Sequence, residues 1–497
     1  MSQATLPART TTDAPSTDWS RSTRLLVLGG ILLLAFALFM VDLGGKSIWF
    51  DESITAAIAR QPTHTFLHTI FNDEANMGLY YVIMRGWAAI GGIGATWMRF
   101  LSAIFGVAGV AMLYCLAKRL FDFERAALAA LLLALNGFYL QFAQEARSYE
   151  LTALLGIIST YLFVRAVDDD GWSWWVLYAI TIGLAINAHL FALTIPFGHL
   201  AALPFRGSVR DRWRRPVVSL GGAFVLGLPA FKVALERRNT QVWWNPPLTL
   251  GRVRSVFAAA AGGGGIVLAL SVAGCIALAA WAGWRVWRTH RSGDDAWPWA
   301  IAVLGYAVPT LLILALCAAE KIIQIRYFSI TLPQLALVVS LGLWQLRPRK
   351  LFAAGVVVVV LFSCLGVARW YRANKEDWRD AVGITQTRGT ASDGLILVDP
   401  YRVKLVDYYR HPDSRGPALD YPPSSFNAWP LYRNHQWVGD AKLARLAEDH
   451  DTIWVLNSAV DPLRDTKAIR RELARTHELV KTYRYTSVSV DEWRRKS

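Results

Sequence analysis

Two acidic dipeptides lie near the start of the chain, and they are the first residues whose types and spacing could do chemistry. Asp51-Glu52 follows Trp49-Phe50, and Asp73-Glu74 precedes Asn76-Met77-Gly78-Leu79-Tyr80-Tyr81. Adjacent carboxylates do not easily share one helical face, so the two members of a pair are expected to do different jobs. One can take a proton from a substrate hydroxyl as general base while the other orients a neighbour or a metal. For Asp51 the competing expectation is a helix cap over residues 53–59. For Asp73-Glu74 spacing alone favours a solvated loop.

Cations that could meet an anionic substrate lie further along. Arg147, in Gln144-Glu145-Ala146-Arg147-Ser148-Tyr149-Glu150, can fork onto a phosphate, or it can snorkel and pair with Glu145 or Glu150. Glu320-Lys321 and Arg326-Tyr327-Phe328 flank another turn between apolar runs. Lys321 and Arg326 there either bind an anionic head group or pair with Glu320. His189 stands alone in an apolar context and reads first as a packing residue. The candidate substrate contacts are therefore Asp73, Glu74, Tyr80, Tyr81, Arg147, Tyr149, His189, Lys321, Arg326 and Tyr327. The glycines at 262–265 lack the Lys-Ser/Thr of a phosphate loop, so a flexible outer loop is expected there. No nucleotide-binding motif is present to serve a cytosolic donor.

What must position these residues is a membrane. The chain has 497 residues, 54% hydrophobic and only 18% charged, with mean hydropathy +0.30. Several apolar runs reach the roughly 20 residues that cross a bilayer. Eleven spans are expected, at 25–43, 99–117, 126–141, 149–166, 173–188, 189–204, 217–234, 265–284, 297–318, 328–346 and 351–371. Residues 1–20 read as disordered, and the first apolar run as a retained span rather than a cleaved leader. The four cysteines, Cys115, Cys275, Cys317 and Cys364, sit inside apolar runs with no metal-site or disulfide spacing.

The net charge of +15 follows from Lys and Arg in short loops, as expected for a membrane protein, and points to no nucleic-acid partner. That bias also decides the short apolar segment 78–94, which contains Arg85. If it crosses the membrane, Lys118, Arg119, Arg125 and the run Arg206, Arg210, Arg212, Arg214, Arg215 fall outside. If it lies in the interface, those loops fall inside, together with Arg285, Arg288, Arg291, Arg347, Arg349 and Lys350. Arg237, Arg238, Arg252 and Arg254 remain exceptions. The second choice puts the N-terminus in the cytoplasm. It gathers Asp51, Glu52, Asp73, Glu74, Arg147, His189, Lys321 and Arg326 on the outer side.

From about residue 372 the pattern changes. Residues 394–398 and 452–456 read as buried strands, 440–449 and 465–479 as helices, and 420–430 as a Pro-rich loop. The expected organisation is a cytoplasmic N-terminus (1–24), a membrane domain (25–371) with an acidic outer loop (44–98), and an extracytoplasmic α/β domain (372–497).

The ordered fragments WFDES, GLYYVIMRGW, RFLSAIFG, AKRLF, QEARSYEL and RYFSITLP resemble bacterial membrane glycosyltransferases of the GT-C type. The group they most resemble holds the protein O-mannosyltransferases and aminoarabinose transferases. The resemblance is strongest over 45–150, recurs near 326–333, and returns at Glu376-Asp377-Trp378-Arg379. It implies a polyprenyl-phosphate sugar donor, with Asp51 as catalytic base, Glu52 as its companion, and Arg147 and Arg326 on the donor phosphate. Where the family often has His-Gly or His-Pro-Pro before Leu-Tyr-Tyr, this chain has Met77-Gly78, which leaves a divalent metal an open question. The expected activity is inverting transfer of a sugar, mannose or arabinose foremost, to a glycan, lipid or protein acceptor at the cytoplasmic membrane. A flippase of lipid-linked intermediates and a non-catalytic envelope scaffold are the rival expectations.

Overall fold

The computed structural model describes residues 19–169, 171–206, 213–241, 246–289, 295–321, 323–399, 402–410, 416–418, 440–458 and 466–497. Residues 1–18 of the expected disordered N-terminus, Arg210, Arg212, Arg291 and the expected Pro-rich loop lie outside these residues.

Ser20 starts the first helix, α1 (Arg21–Met40), by accepting a hydrogen bond from the Thr23 amide. The acidic segment follows as α2 (Phe50–Ala59) and α3 (Thr63–His68), then a π-helical turn (Thr69–Asp73), a 3₁₀ turn (Ala75–Met77) and α4 (Gly78–Gly91). The bundle continues with α5 (Ala95–Leu120), α6 (Phe123–Ala134), α7 (Gly137–Ala143), α8 (Tyr149–Asp169), α9 (Trp172–Ala188) and α10 (Ile195–Ala202). It closes with α11 (Arg214–Gln241), α12 (Leu250–Ala260), α13 (Ile266–Thr289), α14 (Trp297–Ala319), α15 (Leu332–Leu343) and α16 (Arg349–Arg372). Short 3₁₀ stretches flank α10 and precede α15 as Ile325–Thr331. Leucines such as Leu25, Leu26 and Leu33 of α1 stay exposed, because these helices face lipid and satisfy their backbones internally.

Among the described residues, eight helices are long and apolar enough to cross a membrane. The chain is thus multi-pass, though the full eleven spans are not reached by this measure. The expected span 126–141 is instead the pair α6–α7, bent by 64°. Asn136 makes the break, its side-chain oxygen capping the amides of Phe138 and Tyr139. The segments 172–188 and 190–205 are apolar helices shorter than the others. At 14 residues, α4 is about 21 Å long, short of a hydrocarbon core of about 30 Å. Its far end is clasped to α5 by Trp87 and Trp97, whose rings stack at 4.3 Å while each indole donates to the other's carbonyl.

Residues 262–265 overturn an expectation. They form a packed turn after α12 rather than a flexible loop, with Gly262 and Gly264 buried. Gly262, Gly263 and Gly265 have φ of +112°, +74° and +105°, which side chains resist. The backbones of Gly137, Gly262 and Gly366 also meet here, so that a Cβ on Gly366 would fall 2.0 Å from the Gly262 carbonyl oxygen.

The C-terminal part is a small sheet domain. Its elements are α17 (Trp378–Arg388), β1 (Gly394–Leu397), α18 (Val403–Tyr409), α19 (Asp440–Asp449), β2 (Thr452–Ser458), α20 (Thr466–Thr476), β3 (His477–Tyr485) and β4 (Val488–Arg495). The sheet order is β1-β2-β4-β3, with β1 and β2 parallel and the other pairs antiparallel. Alternate residues fill two cores. Leu395, Leu397, Trp454 and Leu456 pack with Trp378 on one face. Ile396, Ile453 and Val455 pack with Leu446, Ile469 and Leu473 on the other. The expected helix 465–479 stops at Thr476, because His477 opens the edge strand β3.

Candidate active site

The helix α2 begins at Phe50, so Asp51 is already inside its first turn and does not cap it. The adjacent carboxylates then point to different surroundings. Glu52 is fully buried and forms a two-pronged pair with Arg99 of α5, Nε to Oε1 and Nη2 to Oε2 both at 2.7 Å. The Ala146 amide adds a third bond to Oε1 at 2.9 Å. Burial alone would raise the Glu52 pKa, but the charges of Arg99 and Lys375 and these hydrogen bonds hold it down at about 2. Glu52 is therefore enclosed by protein groups and held by Arg99 and the Ala146 amide.

Asp51 faces the other way. Its Oδ2 lies 2.6 Å from Nη1 of Arg326 and 3.7 Å from Nη2 of Arg147. Among the described residues Oδ1 accepts no hydrogen bond. Arg147 also donates to the Asp51 carbonyl at 3.2 Å and lies 3.5 Å from the Tyr81 hydroxyl. Both arginines, expected on a phosphate, are thus gathered around Asp51, and Arg147 pairs with neither Glu145 nor Glu150.

The other expected residues divide. Glu74, buried at the end of the π-helical turn, is close enough for its charge to act on Arg147 and Tyr81. Its neighbour Asp73 instead contacts exposed His68 at 3.3 Å. Tyr80 is buried and reaches Ser102 at 3.4 Å, and Ser102 in turn meets the Arg147 carbonyl. His189 is buried among Tyr149, Phe191 and Tyr327, a packing position on the flank of Arg147 and Arg326. Lys321 is exposed at the end of α14 and, among the described residues, contacts neither Asp51 nor either arginine. No group of three His, Cys, Asp or Glu residues gathers to hold a metal among the described residues, so the open question of a divalent metal gains no donor set.

Sequence reasoning gave no role to four residues of this region, although Arg99 and Arg379 stand in the fragments RFLSAIFG and Glu376-Asp377-Trp378-Arg379. Arg99 carries a signal, since an arginine inside an apolar span needs buried partners, an acid or backbone carbonyls. Lys375 pairs with Glu145 at 2.9 Å and lies over Trp49 and Trp370, while Arg326 also lies over Trp49. Tyr409 and Arg379, from the sheet domain, touch the segment leading into α2. Nothing local in the sequence announces those contacts.

Residues 77–233 match the family model described as dolichyl-phosphate-mannose-protein mannosyltransferase. The matched stretch includes Tyr80, Tyr81, Arg147 and His189 and excludes Asp51 and Arg326. The structure of ArnT from Cupriavidus metallidurans in the apo state superposes with a TM-score of 0.66 at 15% identity, covering 95% of this chain and 98% of that one. The same protein bound to undecaprenyl phosphate gives 0.65 at 14% identity, with coverage of 95% and 98%. The chain has the GT-C fold seen in ArnT. The same fold relates it to the Archaeoglobus fulgidus oligosaccharyltransferase in the apo form, with a TM-score of 0.53, 13% identity and coverage of 91% and 72%. No curated protein matches its sequence.

Proposed function

We propose that the protein transfers a sugar from a polyprenyl-phosphate donor to a hydroxyl of an envelope glycan, lipid or protein, with Asp51 as general base. The observation that carries this reading is the split at Asp51. One carboxylate oxygen sits with two guanidiniums while the other takes no hydrogen bond from the described residues. The fold supports it as well, since a similar structure, ArnT, was solved with undecaprenyl phosphate bound.

In this mechanism Oδ1 of Asp51 takes the proton of the acceptor hydroxyl. The acceptor oxygen bonds to the anomeric carbon on the face opposite the phosphate, which inverts that centre. The bond from that carbon to the phosphate oxygen breaks, and polyprenyl phosphate leaves. Arg147 and Arg326 offset the charge that grows on the phosphate. The same guanidiniums hold Asp51, so an arriving phosphate competes for them and leaves the carboxylate available as base. Mannose and arabinose are the leading sugars. The membrane domain (25–371) carries this chemistry on the outer face of the cytoplasmic membrane. The N-terminus lies inside, and the domain at 372–497 lies outside and contributes to acceptor choice.

The test is Asp51→Asn in membranes supplied with a radiolabelled polyprenyl-phosphate sugar. The expected loss is about 10²- to 10⁴-fold in turnover, with folding and donor binding retained. Full turnover in that variant removes Asp51 as base.

A further inference from the structure

The segment that leads into the Asp51 helix is gripped from two directions. Arg99, from the bundle, donates to the carbonyls of Leu43, Lys46 and Ser47 at 3.0, 2.8 and 3.2 Å. Arg379, from α17 of the sheet domain, donates to those of Gly44, Gly45 and Lys46 at 2.8, 3.2 and 3.3 Å. Tyr409, the last residue of α18, accepts from the Ile48 amide at 2.5 Å. Its hydroxyl also meets Ser47 Oγ at 3.0 Å, and that oxygen accepts from the Arg379 amide at 3.2 Å.

Apolar contacts cross the same boundary. Phe50, the residue before Asp51, packs against the sheet-domain core. Tyr408 and Tyr409 pack against the core that holds α2 and α4. Ile48 is fully buried, so its amide needs an acceptor, and the Tyr409 hydroxyl is the one it has among the described residues. That amide lies three positions before Asp51, just ahead of the residue that caps α2.

We infer that Tyr409 is a positioning residue for the transfer reaction: through the Ile48 amide and Ser47 it fixes where α2 begins, and hence where Asp51 stands relative to Arg326 and Arg147. This inference rests on Asp51 being the base. Removing the hydroxyl obliges the buried amide to find another acceptor and lets the helix start shift. A misplacement of a catalytic group by about 1 Å can cost about 10²-fold in rate.

The experiment compares Tyr409→Phe with Tyr408→Phe in the full-length protein in membranes. Tyr408 is a control from the same helix, because its hydroxyl donates at 3.0 Å to the Ile93 carbonyl, away from the 43–48 segment. Tyr409→Phe is expected to lower kcat about tenfold or more while the donor KM changes less than about threefold, and Tyr408→Phe to leave both near wild type. Amounts of folded protein and thermal unfolding are measured for both. Wild-type kcat in Tyr409→Phe overturns the inference, as does an equal loss of kcat in the two variants that tracks loss of folded protein. Asp51→Asn run in parallel separates the two readings. If it is inactive while Tyr409→Phe is normal, only the positioning role falls. If it retains full turnover, the base assignment falls and takes the positioning role with it.

Discussion

The chain contains two Asp-Glu pairs within its first acidic segment, and they are resolved in the same way but with different outcomes. In each, the glutamate is buried and the aspartate is the more exposed partner. The difference lies in what the aspartate meets. Asp51 looks onto Arg326 and Arg147, two guanidiniums held by the bundle. Asp73 looks onto His68, whose side chain is 61% exposed, where water screens the interaction. Of the two aspartates, the one that folded cations face becomes the candidate base, while the other stays at the surface.

The contrast is broken or sharpened by substitution, beginning with the largest effect. Asp51→Asn should cost about 10²- to 10⁴-fold in turnover, measured with the labelled donor, and retention of activity would erase the distinction between the pairs. Glu52→Gln should leave Arg99 buried without its anion and destabilise the protein by about 3–5 kcal/mol, read by thermal unfolding in detergent. A smaller effect concerns acid. The Glu52 carboxyl is held at about 2, below an unfolded value of about 4.3. Its contribution is therefore complete above the unfolded value and is lost as pH falls through about 2. The stability gap between wild type and Glu52→Gln should be flat above about pH 5 and close below about pH 4. Asp73→Asn should change turnover by less than about twofold, consistent with an exposed pair. A loss as large as that of Asp51→Asn would place Asp73 in the site.

Much of the fold was legible because apolar length is a one-dimensional signal. Each expected membrane segment is helical, and the strands at 394–397 and 452–458 fall where buried β-branched and aromatic residues predict them. What escaped depends on contacts rather than local pattern. The bend at Asn136 is a side-chain cap inside an apolar run. β3 was hidden because its residues are largely exposed and lack an apolar alternation, as an edge strand permits. In the site, Asp51, Arg147 and Arg326 could be read as chemical types, but not that the arginines would turn to Asp51. The roles of Arg99 and Tyr409 required partners 47 and 361 positions away, which no window of sequence contains.

The glycine crossing at residues 137, 262 and 366 carries a consequence for traffic. Three main chains touch there without intervening side chains, so that seam of the bundle is shut to anything as thick as a hydrocarbon tail. Under the proposed function, a long-chain donor moving between the bilayer and Asp51 must use another doorway, and side chains along that route will govern how fast one carrier follows the next.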